Sequence, residues 1–376
     1  MKTTEIRLYA DEKPIPGVIN PGPHQRYCNP LIKLENREIP SLGEDEIQVK
    51  MIYAGLCGTD VHLVEKNKEN GYIRSSAPLS IPEHQGRRIG HEGVGRIIAR
   101  GGRVKHVDVG MYVTFESIVV CHYCDVCRKG HFNQCQNARL AGLEVDGLFG
   151  NIVNVPAMLA HDITNLVKTE EDLIAMACVE PAGVAYVACQ NTHIRGGDNV
   201  IIFGAGPIGI FTAMLSKMVF GASSVHLVEP VSFRRQLARQ WADNVYDPTE
   251  IKENLIDNMD VVIEASGEME NINTIFRQIK PNGRVALLAR SGKPLRIDAM
   301  DHMITNAISL IGSRGHLCGA FSDIMTLYRQ GRIPLGSIVT HVAEGIEALK
   351  EMLENPGKIV DENCKVLAHF TQSPEL

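Results

Sequence analysis

The sequence predicts an α/β protein of two domains, one rich in β-strands and one built on a doubly wound parallel sheet. A buried strand, a glycine-rich turn and an apolar helix follow one another near the middle of the chain. Strands then alternate with helical segments, as in doubly wound sheets. At 376 residues, with 44% hydrophobic residues, the chain is long enough to form two cores.

The charge distribution argues against several function classes. Net charge is −6, and no Lys/Arg cluster is interleaved with aromatic residues, so we predict no nucleic-acid partner. The first eight residues lack the apolar core of a signal peptide, and no window is apolar enough for a membrane helix. We therefore predict a cytoplasmic protein with no membrane partner. Thiols stay reduced there, so the ten cysteines favour metal binding over disulfides.

The chain begins with a segment that looks irregular and then enters a β-rich region. A half-buried strand is predicted at residues 46–54, where apolar and polar side chains alternate. It suits an antiparallel, barrel-like sheet. Up to about Asn36, we expect an irregular surface segment, because prolines interrupt helices and central strands. These are Pro14, Pro16, Pro21, Pro23 and Pro30.

Two loops of this region carry candidate metal ligands. Cys57 lies in Gly-Leu-Cys-Gly-Thr-Asp-Val-His at 55–62, and His91 lies in Gly-His-Glu-Gly at 90–93. A catalytic zinc takes three protein ligands, among which thiolate and imidazole are common. Taken alone, a cysteine or histidine is more often a packed core residue than a metal ligand. For the third ligand we choose Glu180 in Val-Glu-Pro-Ala, with Cys178 as the competitor.

A second metal site is predicted at four cysteines spaced Cys-x2-Cys-x2-Cys-x7-Cys. Four thiolates complete a tetrahedral zinc site with no position left for substrate, which makes this site structural. Unrelated cysteines in a loop, or ligands of an iron–sulfur cluster, are the alternatives. The four residues are Cys121, Cys124, Cys127 and Cys135.

The glycine-rich turn predicts a dinucleotide site. The apolar run at 199–203 precedes Gly-x-Gly-x-x-Gly, in which the glycines make the turn, admit a pyrophosphate and allow close helix packing. Glu229 ends the next strand twenty positions later, where a carboxylate can hold the adenosine ribose of NAD. No basic residue occupies 230–233. The turn comprises Gly204, Ala205, Gly206, Pro207, Ile208 and Gly209.

Further parallel strands are predicted at 260–267, 283–289 and 308–313. The chain then forms a helix from about residue 322, a strand near 338–342 and a helix at 345–353, which return it to the first domain. We therefore place the catalytic domain at 1–182 and 325–376, and the nucleotide-binding domain at 183–324.

These motifs, in this order, resemble the zinc-dependent medium-chain alcohol dehydrogenases, in the branch of sorbitol and threonine (polyol) dehydrogenases. The resemblance implies a GroES-like catalytic domain, a Rossmann domain, two zinc ions per chain and NAD as cofactor. It implies a small-molecule alcohol substrate, either a polyol, sugar, cyclitol or amino alcohol, and a homodimer or homotetramer.

The resemblance also implies residue roles. Glu180 matches a glutamate in the place of the third ligand, and Glu92 matches one that approaches the metal when the fourth ligand exchanges. Thr59 matches the hydroxyl that first takes the substrate proton, and His62 matches a later relay member. Thr59 could instead cap a helix starting at Asp60.

Five positions are matched to the cofactor site. Arg234 matches a residue that touches the ribose, three strand-end residues match turns that flank the nicotinamide, and Arg314 matches a residue beside the phosphates. Strand-end packing is the alternative for these residues. The three strand-end residues are Ser266, Leu288 and Ser313.

Other functions stay open at this stage. A zinc-lobe interaction protein would explain the four cysteines, and a zinc-independent, quinone-reductase-like or NADP-linked reductase would explain the glycine turn. Two segments also depart from the family pattern: the insertion at 65–88 is long, and Asp146-Gly-Leu-Phe replaces a usual Gly-Gly-Phe run. The insertion is expected to cover the cleft or meet another subunit, or else to be a solvated loop.

Overall fold

The computed structural model describes residues 1–251, 257–292 and 294–370. It divides into two compact units. Among the described residues, the first unit comprises Met1–Glu180, Leu335–Val360 and 365–370, and the second comprises those of Pro181–Pro334 and Asp361–Cys364. The sequence suggested boundaries at 182 and 324, so the second observed boundary comes ten residues later.

The strands, in chain order, are β1 (Lys2–Glu12), β2 (Tyr27–Glu38), β3 (Glu46–Leu56), β4 (Arg87–Arg88), β5 (Glu92–Arg100), β6 (Tyr112–Phe115), β7 (Ile118–Val119), β8 (Arg139–Leu140), β9 (Ile152–Pro156), β10 (Ala160–Asp162), β11 (Asn199–Phe203), β12 (Ser224–Val228), β13 (Asn244–Tyr246), β14 (Met259–Glu264), β15 (Ile279–Leu287), β16 (Ser309–Gly312), β17 (Val339–Glu344) and β18 (Lys365–His369).

The α-helices are α1 (Gly58–Val64), α2 (Asp125–Arg128), α3 (Glu170–Met176), α4 (Val179–Asn191), α5 (Pro207–Met218), α6 (Ser232–Ala238), α7 (Glu270–Ile275), α8 (Met300–Thr305), α9 (Ala320–Arg329), α10 (Gly345–Glu354) and α11 (Pro356–Glu362). Within the described ranges, no single helix is long and apolar enough to cross a membrane; the bent pair α3 and α4 meets the criterion by length and composition alone.

The first unit is organised around a largely antiparallel sheet with strand order β10-β6-β5-β3-β18-β17, to which β9 adds by pairing with β3. The predicted strand at 46–54 is confirmed as part of β3. Its alternate residues Ile47, Val49 and Met51 are buried, which explains the observed alternation of apolar and polar side chains. Strand β18 also pairs with β3, so segments about 310 positions apart in the sequence are neighbours in this sheet.

The expected irregular N-terminal segment is wrong. Residues 2–38 form a long hairpin in which β1 pairs antiparallel with β2, and the fully buried Ile6 and Leu8 anchor it to the core. Four of the five prolines fall in the connection between the strands. Pro30 lies in β2, an edge strand of the order β2-β1-β4, where a missing N–H is tolerated.

The insertion at 65–88 lies against this hairpin. Tyr72 forms a β-bridge with Cys28, and β4 pairs with β1 at the end of the insertion. These positions are therefore held by main-chain hydrogen bonding to the same unit. A role in covering the cleft or in subunit contact stays a prediction.

The second unit is a parallel six-stranded sheet of order β13-β12-β11-β14-β15-β16, and the predicted doubly wound fold is confirmed. The strand β11 has the predicted bounds, and Val200, Ile201 and Ile202 are fully buried, as expected for a strand covered on both faces. The order reverses beside β11, because β12 and β14 lie on its two sides. Ligands of such sheets bind at this kind of switch point.

Candidate active site

Three candidate metal donors meet at one end of the β3–β5 pair. Cys57 directly follows β3, and His91 directly precedes β5. The two strands are antiparallel, and Gly55 pairs with Glu92, so the end of one strand and the start of the other coincide. As a result, ligand atoms of Cys57, His91 and Glu92 lie within 4.8 Å of one another.

Gly55 is needed at this junction because two side chains pass over it. A Cβ atom at position 55 would lie 2.8 Å from Glu92 Cδ and 2.9 Å from Lys365 Nζ. Both distances are shorter than real Cβ contacts. The glycine before the donor cysteine thus makes room for the buried Glu92 carboxylate.

Asp60 orients two of the donors. It is fully buried, and its Oδ2 accepts a hydrogen bond from the backbone N–H of Cys57 at 3.1 Å. Its Oδ1 lies 3.6 Å from His91 Nδ1. A carboxylate beside a ligating histidine fixes the ring and raises its basicity. This role was not predicted from the sequence, although an acidic residue three positions after Cys57, in the first turn of a helix, could have indicated it.

Lys365 is a buried counter-charge for Glu92. Both side chains are almost fully buried, and Lys365 Nζ lies 2.5 Å from Glu92 Oε1 and donates to the Leu56 carbonyl at 3.1 Å. Burial raises the pKa of the Glu92 carboxyl, Lys365 opposes the rise, and the charge of Glu180 adds to it. Lys365 was not predicted from the sequence because 273 positions separate it from Glu92; β18 and β5 come together because both pair with β3.

Glu180 lies in the first turn of α4, and its charge contributes to the raised pKa of the Glu92 carboxyl. Its Oε1 accepts a hydrogen bond from Ser117 Oγ at 3.1 Å, and both residues are buried. The donor group whose ligand atoms lie within 4.8 Å of one another consists of Cys57, His91 and Glu92. Glu180 as the third ligand, and the competitor Cys178, stay predictions.

The donor group fits a zinc ion. Thiolate, imidazole and carboxylate are all zinc ligands. Glu92 Oε2 is buried and accepts no hydrogen bond from the residues that the structure describes. Buried polar atoms without partners are costly, and a cation would satisfy such atoms.

Helix α1 also places the two predicted relay residues. It begins at Gly58 with Cys57 at the N-cap position, so the alternative in which Thr59 caps a helix starting at Asp60 is wrong. Thr59 and His62 are three positions apart on this helix and therefore on one face. His62 Nδ1 lies 3.1 Å from Glu65 Oε2. This contact comes first among the causes that lower the pKa of the Glu65 carboxyl.

The four cysteines of the segment 121–135, which we call the lobe, form a second donor group. Their sulfur atoms all lie within 4.8 Å of one another, around the short helix α2. Backbone N–H groups point at the sulfurs, as in the 3.4 Å contacts from Cys124 to Cys121 and from Cys121 to Cys135. Burial would raise the pKa of Cys121, but hydrogen bonds from Asn137 and two backbone amides lower it to about 6. The group suits tetrathiolate zinc.

The glycine turn of the second unit has the expected geometry. Gly204 has φ +97°, and a Cβ at Gly209 would lie 1.9 Å from the Gly204 carbonyl oxygen. Space around Gly206 is open, as close approach of a ligand to the backbone requires. Glu229 directly follows β12 and accepts N–H bonds from Ala205 at 2.6 Å and Val231 at 2.9 Å. The carboxylate is thus fixed beside the turn.

Two arginines follow Glu229 on α6. Arg234 Nε donates to the Asn363 carbonyl at 2.9 Å. Arg235 donates to the Glu229 carbonyl at 2.8 Å and forms an ion pair with Asp247 at 2.9 Å. Arg235 is thereby committed to protein partners.

The strand-end residues all lie at the carboxyl edge of the parallel sheet. Ser266 Oγ donates to Glu264 at 2.5 Å, and the Leu288 amide donates to the Glu264 carbonyl. Ser313 Oγ accepts from Asn191 at 3.0 Å. Burial lowers the pKa of Arg290, and the nearby charge of Arg314 lowers it further. The strand-end residues thus lie at the predicted edge of the sheet, where the parallel strands end. Their contacts with a cofactor stay predictions.

Comparison with known proteins identifies the family. Residues 43–165 match the alcohol dehydrogenase GroES-like domain, and residues 207–329 match the zinc-binding dehydrogenase domain. An L-threonine 3-dehydrogenase of Pyrococcus abyssi is 32% identical over 340 residues, which cover 86% of this chain and 92% of that protein. A scyllo-inosose 3-dehydrogenase of Thermotoga maritima is 32% identical over 330 residues, covering 80% and 81%.

A solved structure agrees along the whole chain. It belongs to a Thermotoga maritima protein described as an alcohol dehydrogenase, with a TM-score of 0.86, 27% identity and coverage of 98% of this chain and 100% of that one. Taken with the domain matches and the two donor groups, this agreement shows that the chain belongs to the zinc-dependent medium-chain alcohol dehydrogenase family, in its polyol dehydrogenase-like branch.

Proposed function

We propose that the protein oxidises a secondary alcohol bearing a neighbouring polar group, with NAD as hydride acceptor. The observation that carries this proposal is the buried donor group Cys57, His91 and Glu92, backed by Asp60 and Lys365. A closed structural site needs no such arrangement of a partly exposed thiol and an unpaired carboxylate oxygen. The donor group Cys57, His91 and Glu92 instead has the chemistry of a catalytic zinc site with an exchangeable position.

Cys57, His91 and Glu92, whose ligand atoms lie within 4.8 Å of one another, would hold the zinc. With His91 Nδ1 facing Asp60, Nε2 is the nitrogen assigned to the metal. When bound, zinc supplies a Lewis acid that lowers the pKa of the substrate hydroxyl. Lys365 offsets the negative charge of Glu92, so the donor set is less negative than its thiolate and carboxylate alone would make it.

Thr59 and His62 are proposed to move the proton. The Thr59 hydroxyl would accept the substrate proton and pass its own onward, and His62 would deliver it towards water. Their i, i+3 spacing puts both side chains on one face of α1. Glu65 is the acceptor partner that orients the His62 ring at 3.1 Å.

Ser117 and Glu180 support the substrate class. The Ser117 hydroxyl donates to the Glu180 carboxylate at 3.1 Å, and the charge of Glu180 contributes to the raised pKa of Glu92. Such groups suit a hydroxyl or ammonium group next to the reacting carbon, and they are a poor lining for a simple alkyl chain. The names of the relatives agree with this chemistry, because threonine and inosose both carry polar groups beside an oxidisable carbinol.

The preference for NAD is proposed from Glu229 and Arg235. A 2′-phosphate beside the Glu229 carboxylate would bring like charges together. Arg235, which could otherwise neutralise such a phosphate, is held by Asp247 and two carbonyl groups. NADP binding usually needs either the loss of this carboxylate or a basic residue free to pair with the 2′-phosphate. Glu229 is present and Arg235 is engaged, so neither condition is met at these two residues.

A panel of secondary alcohols, polyols, cyclitols and hydroxy-amino acids, followed by NADH absorbance, tests the proposal. Cys57→Ser should abolish turnover, whereas Cys178→Ser, which changes a neighbouring buried thiol, should leave most of it. Light scattering on the same sample tests the proposed homodimer or homotetramer. No turnover on any member of the panel with either cofactor would overturn the function.

A further inference from the structure

A buried charged network lies beside the turn that carries His91 and Glu92. Glu5 on β1 contacts Arg7 at 2.6 Å and Arg88 at 2.8 Å. Asp146 contacts Arg7 at 2.7 Å and Arg87 at 3.0 Å. The three arginine side chains and Glu5 are each at most 9% exposed. We call these five residues the arginine network.

The charges of this network are mutually dependent. Burial alone would raise the pKa of Asp146, but the charges of Arg88 and Arg7 lower it. Buried ions persist only when they are paired, and removal of one partner leaves the other without compensation. The network therefore fixes the relative positions of β1, β4 and the loop that contains Asp146.

Arg88 transmits that constraint to the metal-donor turn. Its Nε donates to the Gly147 carbonyl at 2.7 Å, and its own carbonyl accepts from Gly147 N at 2.7 Å. Leu148 N then donates to the Gly90 carbonyl at 2.9 Å, one residue before His91. The loop after Asp146 thus runs beside the segment that leads to the donors.

The loop at 147–149 and the turn at Gly90 are in such close contact that neither leaves room for an added Cβ atom. A Cβ at Gly147 would lie 2.0 Å from the Gly90 carbonyl oxygen, and a Cβ at Gly90 would lie 2.2 Å from Phe149 Cδ1. Strand β1 holds Phe149 from its other side, because Ile6 N donates to the Phe149 carbonyl at 2.9 Å. A displacement of the network therefore displaces Gly90 and, with it, His91.

We propose that Glu5 and Asp146 are positioning residues for the exchangeable zinc, acting through Arg88 and the Gly90 turn on His91 and Glu92. The N-terminal hairpin, which carries Glu5 and Arg7, then helps to set the positions of the metal donors. The inference rests on the proposed function, since it requires a metal at Cys57, His91 and Glu92.

The test measures zinc affinity without any turnover. Glu5→Gln and Asp146→Asn keep side-chain size and remove the charge, and Glu38→Gln changes an exposed carboxylate on the adjacent strand β2 as the matched control. Chelator competition with Zn2+ should show the exchangeable site weakened by about 10–100-fold in both network variants, as for other indirect partners of metal ligands. The lobe zinc should be retained equally in all proteins.

A second readout separates positioning from mere stabilisation. With Co2+ in the exchangeable site, the visible absorption bands report donor geometry, and they should shift in the network variants relative to Glu38→Gln. A purely structural role would lower the melting temperature of the metal-free protein and leave affinity and bands unchanged. That result, or control-like affinity in Asp146→Asn, would overturn the inference.

The outcomes also separate this inference from the proposed function. Wild-type protein that binds two zincs, with variants that bind them equally well, contradicts the inference alone. Wild-type protein that binds no exchangeable zinc contradicts both. Should Glu5→Gln fail to fold, Asp146→Asn decides the matter, because its side chain is one-third exposed and tolerates substitution better.

Discussion

At the scale of single residues, the carboxylates around the metal donors have three different roles. Asp60 contacts a backbone amide and an imidazole, Glu92 lies in the donor group, and Glu180 is held by Ser117. Because Asp60 and Glu92 are both fully buried, these roles depend on which positive groups face them. Residue type alone does not assign them.

Glu92→Ala should therefore lower affinity for the exchangeable zinc by at least the 10–100-fold that is typical of indirect partners. Glu180→Ala should have the smaller effect on affinity and a larger effect on KM for polyols, because its carboxylate lies with Ser117. Equilibrium zinc titration and steady-state kinetics measure both quantities. If Glu180→Ala loses the metal while Glu92→Ala keeps it, Glu180 is the third ligand, as the sequence suggested.

Cofactor choice is also decided by single residues. Glu229→Gly should reduce kcat/KM for NAD and raise it for NADP, because it removes the like charge beside a 2′-phosphate. Adding Asp247→Asn should raise NADP use further by releasing Arg235 from its ion pair. Asp247→Asn alone serves as the control. A wild-type preference for NADP would contradict the assignment of Glu229.

At the scale of elements, the lobe and the N-terminal sheet differ in what holds them. The lobe has only the four-residue helix α2 and a short 3-10 turn around its cysteines, so metal must replace a core. The N-terminal hairpin instead has a buried apolar face and the arginine network.

Cys127→Ser should remove the lobe zinc and sharply lower thermal stability. Structural zinc sites contribute about 10–16 kcal/mol of apparent binding free energy at neutral pH, and most of this would be lost. Cys189→Ser, at a buried thiol outside both donor groups, is the matched control. Elemental analysis and melting temperature provide the measurement; an unchanged lobe zinc in Cys127→Ser would contradict a tetrathiolate site.

Asp146 should make stability depend on acid pH. Its folded-state pKa is below the ordinary value of about 3.9, so its stabilisation is present above that value and is lost as pH falls through the lowered pKa. The difference in urea midpoint between wild type and Asp146→Asn should be constant above about pH 5 and shrink below about pH 4. A difference that stays constant to pH 3 would contradict the ion pairing; Asp301→Asn is the exposed control.

The second unit was the more predictable of the two because its signals are local. A strand buried on both faces reads as an apolar run, and Gly209 is required by a contact with Gly204 only five positions away. The N-terminal hairpin was missed because proline counting does not reveal whether a strand lies at an edge. The ion pairs of Lys365 and Asp146 were not predicted because their partners come from strands and loops distant in sequence.

At the scale of the whole molecule, both predicted zinc sites lie on the discontinuous first unit, and the glycine turn lies on the second. The cofactor turn, the lobe and the donor group each lie wholly within one compact unit. A substitution in the cofactor turn, the lobe or the donor group should therefore abolish the function of that site alone. Two zinc ions per chain, one retained under mild chelation and one exchangeable, are expected by elemental analysis.

The most direct test of the central claim combines zinc content with turnover on one sample. Wild-type protein should hold two zincs per chain and reduce NAD with at least one polyol, cyclitol or hydroxy-amino acid of the panel. Removal of the exchangeable zinc should abolish this activity, and added Zn2+ should restore it. Full activity with one zinc or none, or no turnover by protein that holds both, would contradict the account.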